Sequence, residues 1–139
     1  MTRARSRSVG GAPVDRSSYR VLLIEDDPAH RYIYRRFLEQ QDKVSYEVHE
    51  APNADAGLDA CERIRPDCIV VDFRLPDLNG LDLLPALRAR TAAPIIFVTA
   101  HPEPLTMTKA YREGALKYLS KDFLSSETFQ AAVAEALRL

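Results

Sequence analysis

The chain has 139 residues, 46% of them hydrophobic and 28% charged, which is typical of one globular domain with a full core. No apolar run approaches the roughly 20 residues of a membrane-spanning helix, and no apolar signal segment opens the chain, so we expect a cytoplasmic location and no membrane partner. The net charge is −1, but residues 1–18 hold four arginines and one aspartate, so the remainder is acidic and a poor candidate for binding nucleic acid.

Residues 1–18 are rich in Arg, Ser, Gly and Pro and show no apolar periodicity, so we predict a disordered basic tail. An alternative role for this tail is a basic arm that binds nucleic acid or another anionic surface. Residues 19–139 are predicted to form the folded domain. The two cysteines, Cys61 and Cys68, lack a metal-ligand spacing and are predicted to be free thiols in the core.

Apolar runs predict five short strands, at residues 21–24, 46–50, 68–72, 95–99 and 116–120. Helix-start signals lie between the strands and after the last one, and they are Asp27-Pro28, Asn53, Asn79-Gly80, Pro104 and Ser125-Ser126. The strict alternation predicts an α/β domain with helices on both faces of a doubly wound parallel sheet.

Each predicted helix carries an apolar stripe at helical spacing. The stripes are Ile33, Phe37 and Leu38; Leu58, Cys61 and Ile64; Leu83, Leu84 and Leu87; Met107, Ala110 and Tyr111; and Phe129, Ala132, Val133, Ala136 and Leu137. Pro85 is expected to confine the third helix to the residues after it, or to kink it. Gly114 is expected to cap the fourth helix.

Three polar residues near these elements receive structural interpretations. Asp27 is predicted to cap the first helix rather than to bind a metal. His30 is predicted to lie on a helix face and His49 on a strand surface, neither as a ligand.

Polar side chains stand at or just past the ends of four predicted strands: Glu25, Asp26, Asp72, Thr99 and Lys121. The carboxyl ends of parallel strands meet at one edge of a sheet, where open α/β sheets bind their ligands. We therefore expect these five side chains to gather there and to form a metal-assisted phosphoryl acceptor.

Clustered carboxylates repel each other unless a cation lies between them. Mg²⁺ prefers oxygen ligands and retains several waters, so one or two carboxylates are enough to hold it, and Mn²⁺ is the alternative. We predict Asp26 and Asp72 as direct ligands, Glu25 as a ligand through a coordinated water, and the backbone carbonyl of Arg74 as a third protein ligand.

A carboxylate is also a nucleophile that forms an acyl phosphate. Asp72 is the predicted phosphoacceptor because it ends the central strand. Phosphoryl transfer depends on positioning and on stabilising the charge of the phosphoryl oxygens. Lys121, the Thr99 hydroxyl and the Ala100 backbone N–H are the groups predicted to bind those oxygens.

Four segments of the sequence resemble the motifs of response-regulator receiver domains, in the right order and spacing: residues 21–28, 69–80, 97–100 and 114–121. The resemblance covers residues 19–139. It implies a flavodoxin-like fold with five parallel strands in the order 2-1-3-4-5 and five helices.

The resemblance also implies a function in two-component signalling. Asp72 would accept phosphate from a histidine kinase or a histidine phosphotransfer protein. Thr99 and Tyr118 match the family's switch, in which Tyr118 turns inward and the fourth helix, fifth strand and fifth helix present a changed surface to a downstream protein target. A homodimer through those elements is left open.

The sequence departs from the family at Asp122, which stands where receivers usually have proline. We expect a trans peptide bond before it and a different path for the following loop. Arg74 and His101 match positions that tune the lifetime of the phosphate. The alternative for these two residues is a solvated arginine and a loop histidine.

Three other functions compete with a phosphorylated receiver. An aspartyl-phosphate phosphatase needs a second acid two residues after the nucleophile, where this chain has Arg74. A receiver fold that is no longer phosphorylated would serve as a fixed docking domain. The third alternative is a receiver fragment of a hybrid sensor kinase, because the Lys121-Asp122 variant resembles receivers that are attached to sensor kinases. In every interpretation as a receiver, we expect a signalling domain and not a conventional turnover enzyme.

Overall fold

The computed structural model describes residues 18–40 and 43–139. The basic tail predicted for residues 1–18 therefore lies outside the described residues, apart from Ser18, which begins the first strand. The strands are β1 Ser18–Ile24, β2 Ser45–Ala51, β3 Cys68–Asp72, β4 Ile95–Thr99 and β5 Lys117–Ser120; the helices are α1 Pro28–Glu39, α2 Ala54–Ile64, α3 Gly80–Arg88, α4 Pro104–Arg112 and α5 Ser126–Leu137.

The five strands form one parallel sheet in the order β2-β1-β3-β4-β5. This confirms the flavodoxin-like α/β fold and the strand order that the family resemblance implied. β3 and β4 are buried along their whole length, as expected for central strands covered on both faces. β5 begins at Lys117, one residue later than predicted, although the Leu116 N–H still donates to the Ile95 carbonyl at 2.9 Å.

Helices cover both faces of the sheet, as predicted. Side chains of α1 and α5, such as Leu38 and Phe129, pack against one face with Val21 and Val70 of the strands. The other face is covered by α2, α3 and α4, which contribute Cys61, Leu83, Leu84, Leu87 and Ala110 to the second core cluster. Alternate residues of each strand supply the two cores, because successive side chains of a strand point to opposite faces.

Side-chain hydrogen bonds cap four of the five helices, α1, α2, α3 and α5, at the positions that the sequence predicted. The Asp27 carboxylate accepts from the Ala29 N–H at 2.9 Å, with proline at the first helical position of α1. Asn53 and Asn79 cap α2 and α3 in the same way, and Ser125 forms a capping box that begins α5.

Gly114 ends α4 as predicted. Its φ of 109° is a conformation that favours glycine, and the Ala115 N–H donates to the Ala110 carbonyl at 3.0 Å, which closes a Schellman motif. The chain is thereby turned from α4 directly into β5.

Pro85 does not delay α3, and the prediction that regular helix would follow it was wrong. The helix begins at Gly80, where the Asn79 side chain accepts from the Asp82 N–H at 3.1 Å. Because Pro85 has no N–H, the Leu81 carbonyl in the first turn lacks its intrahelical hydrogen bond, and this is the only such bond that the proline removes. The cap therefore nucleates the helix despite the proline.

Two residues predicted in apolar stripes are exposed instead. Ile33 is 42% exposed, because its neighbour Tyr34 takes the inward position on α1 and stacks on Phe129 at 5.2 Å between ring centroids. Tyr111 is also 42% exposed, while its hydroxyl accepts from the Tyr118 N–H at 3.1 Å. Ala136 and Leu137 are only partly buried near the end of α5.

Gly57 allows α2 to approach the end of β1 closely. A Cβ atom at this position would lie 2.5 Å from Ile24 Cδ1 and 2.9 Å from Ile24 Cγ1. A side chain here would force either the Ile24 side chain or α2 itself to shift.

Both cysteines are free and buried, which confirms their prediction. Burial raises the pKa of the Cys61 thiol to about 11 and that of the Cys68 thiol to about 12. Thiols of this kind stay protonated and are inert at neutral pH. Among the described residues, no helix has the length and apolar character needed to cross a bilayer.

Candidate functional site

The structure brings the predicted site residues together at the carboxyl edge of the sheet. Lys121, directly after β5, places its Nζ 3.3 Å from Asp72 Oδ2 and 3.1 Å from Glu25 Oε1. Both carboxylates are buried, and so is the Lys121 side chain for the most part. Residues 25, 72 and 121, distant in the sequence, therefore form one ionic group.

Asp26 completes an acidic cluster with Glu25 and Asp72. One oxygen from each carboxylate lies within 4.8 Å of the others, close enough to share one ion. Asp26 is exposed while the other two acids are buried. The cluster is thus open to solvent on the Asp26 side.

Glu25 is electrostatically unfavourable as an anion. Burial, and then the nearby Asp72 charge, raise the pKa of its carboxyl above the ordinary value, opposed by the Asp27 N–H and by Lys121. Its Oε1 is buried and has no hydrogen bond, although Lys121 Nζ lies within ion-pair distance. A hard divalent cation would satisfy this oxygen and reduce the repulsion, so the donor set fits Mg²⁺ or Mn²⁺.

Asp72 is held at both of its oxygens. Oδ1 accepts from the Arg74 N–H at 3.1 Å, and Oδ2 pairs with Lys121. The next residue, Phe73, continues the sheet pairing by donating its N–H to the Val98 carbonyl at 2.9 Å. The carboxylate is therefore held next to β4 by the following residue and tied to the end of β5 through Lys121.

The loop after β3 is fastened to α2, a contact that the sequence analysis missed. The Asp77 carboxylate accepts from the Ala54 N–H at 2.9 Å and from the Asp55 N–H at 3.1 Å. These backbone bonds lower the Asp77 pKa. The only sequence signal was a loop acid, which gave no indication that it would reach a helix N-terminus 23 residues away.

Thr99 ends β4 with its side chain buried, and its Oγ1 accepts from the His101 N–H at 3.2 Å. Ala100 and His101 are both exposed in the loop that follows. The hydroxyl therefore stands on the site edge, where it is available as a donor.

Tyr118 already points inward in this structure, with 7% of its surface exposed. Its ring meets Phe73 edge-on at 5.5 Å between centroids, and Phe73 meets Phe97 at 5.3 Å. Burial raises the pKa of the Tyr118 hydroxyl. Because Phe73 directly follows Asp72, this aromatic group connects the candidate phosphoacceptor to β5.

The peptide bond between Lys121 and Asp122 is trans, as expected. A short 3₁₀ turn, Lys121–Phe123, then leads toward α5. Phe123 is 83% exposed. The loop therefore carries Lys121 into the site while it turns its aromatic residue to the surface.

His30 lies against the site, which the sequence analysis did not predict. It is on α1, as predicted, but its Nδ1 is 3.1 Å from Lys121 Nζ and 3.6 Å from Glu25 Oε2. Its position in the first turn of α1 was the available signal, because helical side chains lean toward the helix N-terminus. His49 pairs with Glu47 on β2, away from the acidic cluster.

A flavodoxin-like sheet whose carboxyl edge joins clustered acids to a lysine is typical of the receiver class of signalling domains. Residues 21–134 match the family model of the response regulator receiver domain. The chain therefore belongs to the receiver family of two-component signalling, as the sequence motifs predicted.

Relatives agree with this assignment. The transcriptional regulatory protein SrrA of Staphylococcus aureus is 29% identical over 110 residues, which are 79% of this chain and 44% of SrrA. The chain thus spans less than half of that relative.

Two solved structures of receiver domains are also similar to this chain. The NarL receiver of Mycobacterium tuberculosis has a TM-score of 0.79 and 26% identity, covering 88% of this chain and 98% of that one. A CheY-like receiver domain protein of Methanospirillum hungatei JF-1 has a TM-score of 0.77 and 28% identity, and the match covers 88% of this chain and 95% of that one.

Proposed function

We propose that Asp72 is the phosphoacceptor of a histidine-to-aspartate phosphorelay. The observation that carries this proposal is the lysine bridge, in which Lys121 Nζ lies within 3.3 Å of both Asp72 and Glu25 at the buried strand ends. A cation held beside the nucleophile is what an incoming phosphoryl group requires. The phosphoryl donor is a histidine kinase or a histidine phosphotransfer protein.

In the transfer step, an Asp72 oxygen forms a bond to phosphorus while the bond from phosphorus to the donor histidine nitrogen breaks. The imidazole leaves with the bonding electron pair, and an acyl phosphate remains on Asp72. Lys121 and the Ala100 N–H stabilise the phosphoryl oxygens, and the Thr99 hydroxyl turns from the His101 N–H to bind a third oxygen.

Asp26 and Asp72 would hold Mg²⁺ or Mn²⁺ directly, with Glu25 through a water and Arg74 through its backbone carbonyl. The cation supplies charge neutralisation at the phosphoryl oxygens. Asp26 keeps the site accessible to solvent, and buried Glu25 anchors the opposite side.

The phosphorylated domain signals through α4, β5 and α5. Thr99 moves toward the phosphoryl group, and the space behind it is filled by the Tyr118 ring, which already packs on Phe73. The bond from the Tyr118 N–H to the Tyr111 hydroxyl transmits this change to α4. The changed surface then binds a downstream protein.

Arg74 and His101 set the lifetime of the acyl phosphate. Both side chains are exposed two residues beyond a site residue, Asp72 and Thr99 respectively. From these positions they shield the phosphorus atom from water or orient the attacking water. Arg74 also replaces the acid that an aspartyl-phosphate phosphatase would need, which disfavours that alternative.

Phosphorylation is tested by incubating the protein with phosphoramidate and Mg²⁺ and then measuring its intact mass. We expect a gain of one phosphoryl group that requires the metal and is lost in Asp72→Asn. The matched control is Asp59→Asn, which removes a carboxylate that is 76% exposed on α2 and should keep the mass gain.

A wild-type protein that gains no mass, under conditions that label another receiver, would overturn the proposal and favour a fixed docking domain. A mass gain that persists in Asp72→Asn would place the phosphoryl group on another residue.

A further inference from the structure

His30 is held against the lysine of the site by the first turn of α1. It is the third residue of the helix, after the Asp27 cap and Pro28. Side chains in a helix lean toward its N-terminus, which directs this imidazole back to the end of β1. Its Nδ1 lies 3.1 Å from Lys121 Nζ, across 91 residues of sequence.

The donor in this contact is the lysine. An ammonium group has three N–H donors and no acceptor, so in this contact Lys121 donates and Nδ1 accepts. The two carboxylates nearest to Nδ1, on Glu25 and Asp27, are each 3.6 Å away, beyond hydrogen-bonding distance. His30 therefore offers Lys121 a ring nitrogen as acceptor, whereas Glu25 and Asp72 offer carboxylate oxygens.

A ring stack fixes the position of the imidazole. His30 lies over Tyr34 at 6.3 Å between centroids with 24° between the planes, and Tyr34 stacks on buried Phe129 of α5. Residues four apart on a helix face the same side, which brings His30 and Tyr34 together. The imidazole is itself partly exposed, but the ring on which it stacks is buried in the core.

We infer that His30 is a positioning residue for Lys121, an inference that rests on the proposed phosphorylation of Asp72. Glu25 and Asp72 are shared between Lys121 and the proposed metal, so a cation in the acidic cluster weakens the attraction of both carboxylates for the ammonium. His30 accepts one N–H of the ammonium both when the acidic cluster is empty and when it holds a cation. The remaining donors then point toward Asp72 and the phosphoryl oxygens.

Two substitutions separate the acceptor from the ring. His30→Phe keeps an aromatic ring over Tyr34 but removes the acceptor, whereas His30→Asn loses the ring and provides an amide oxygen near the position of Nδ1. His49→Phe is the matched control, because His49 lies on β2 and contacts Glu47. Circular dichroism confirms that each variant is folded before measurement.

The first measurement is the rate of phosphorylation against phosphoramidate concentration at saturating Mg²⁺. We expect His30→Phe to lower the maximal rate about tenfold, the usual effect of losing one hydrogen bond to a charged group. His30→Asn should restore most of that rate, and His49→Phe should match the wild type.

The second measurement is the ¹⁵N NMR signal of the Lys121 ammonium, taken with and without Mg²⁺. We expect His30→Phe to shift and broaden the signal in both conditions, and His30→Asn to retain it. This signal is assigned by its loss in Lys121→Arg.

An unchanged rate and an unchanged signal in His30→Phe would overturn the inference. It is also overturned if His30→Asn behaves no better than His30→Phe, because the ring rather than the acceptor would then matter. If the wild type takes up no phosphoryl group, the proposed function fails, and the Lys121 signal alone still decides whether His30 holds the ammonium.

Discussion

At the scale of single residues, the Glu25 carboxylate has two candidate partners, the Lys121 ammonium and the proposed metal ion. Burial and the Asp72 charge disfavour its ionised form, and Lys121 only partly offsets them. The carboxylate is therefore a local cost to the stability of the metal-free domain, and we expect the proposed divalent ion to turn that cost into a gain.

The substitution Glu25→Gln tests this balance. We expect the free energy of unfolding of the metal-free protein to rise by about 1 kcal/mol, because a neutral amide replaces a disfavoured charge. The affinity for Mg²⁺ should fall about tenfold, as is usual when an outer-shell metal contact is lost. Urea unfolding in EDTA and across a Mg²⁺ titration measures both quantities. A variant that is less stable than the wild type in EDTA would contradict the expectation.

The residues of the site were predictable to different degrees. Asp72 and Thr99 each end an apolar run, so a parallel sheet was enough to place them together. His30 was not predictable as a site residue, because its role depends on where the first turn of α1 faces and on the reach of Lys121 from β5. Such a contact needs the packing of α1 on the sheet, which the sequence pattern does not specify.

At the scale of elements, Glu50 fastens β2 to α1. Its two oxygens accept from Arg31 Nε at 2.8 Å and from Arg35 Nη2 at 2.6 Å. Arg31 also donates to the Glu25 carbonyl at 2.7 Å. These contacts of Glu50 with Arg31 and Arg35, which we call the Glu50 clamp, therefore extend to the loop that carries the acidic cluster.

The stability of this clamp depends on pH. Burial acts to raise the Glu50 pKa, but the hydrogen bonds from Arg35 and Arg31 outweigh it and hold the pKa below its ordinary value of 4.5. The folded state thus prefers the ionised form. Its contribution is fully present above pH 4.5 and is lost as the pH falls through the lowered folded value.

We expect Glu50→Gln to be about 1 kcal/mol less stable than the wild type at neutral pH, since the pair is partly screened by solvent. The difference should shrink as the pH falls below 4.5. Urea denaturation between about pH 3 and pH 7 measures it. Asp59→Asn, an exposed acid on α2, serves as the control, and a difference that stays constant with pH would contradict the clamp.

Apolar runs and caps were sufficient to predict the elements, and the errors have local causes. Pro85 was expected to start or kink a helix that Asn79 in fact nucleates earlier. The stripe of α1 was assigned to Ile33, although Tyr34 is the residue that faces the core. Periodicity alone does not decide which of two adjacent apolar residues turns inward, because both fit a helical stripe.

At the scale of the whole molecule, the two sheet faces have separate tasks. The aromatic chain from Phe73 to Tyr118 lies on the face covered by α2, α3 and α4. The opposite core of α1 and α5 contains Tyr34 and Phe129, which support His30. We therefore expect one face to receive the proposed signal and the other to hold the site in position.

Hydrogen exchange tests this division. With beryllofluoride and Mg²⁺ as a phosphoryl mimic, we expect amide protection in α4 and β5 to change by about threefold or more. The amides of Tyr46 and Glu47 lie at the amino end of β2, away from the bond that the Glu25 N–H donates to the Ala51 carbonyl, and they should exchange at an unchanged rate. Equal changes across all five strands would instead indicate a general stabilisation of the fold.

The surface position of Phe123 has a practical consequence. The protein contains no tryptophan, and Phe123 is 83% exposed only two residues after Lys121. An indole introduced at this position would enter solvent rather than the core, so the fold should tolerate it. It would be the only tryptophan in a chain with six tyrosines, and its emission, excited selectively, would follow ion and phosphoryl binding at the adjacent site.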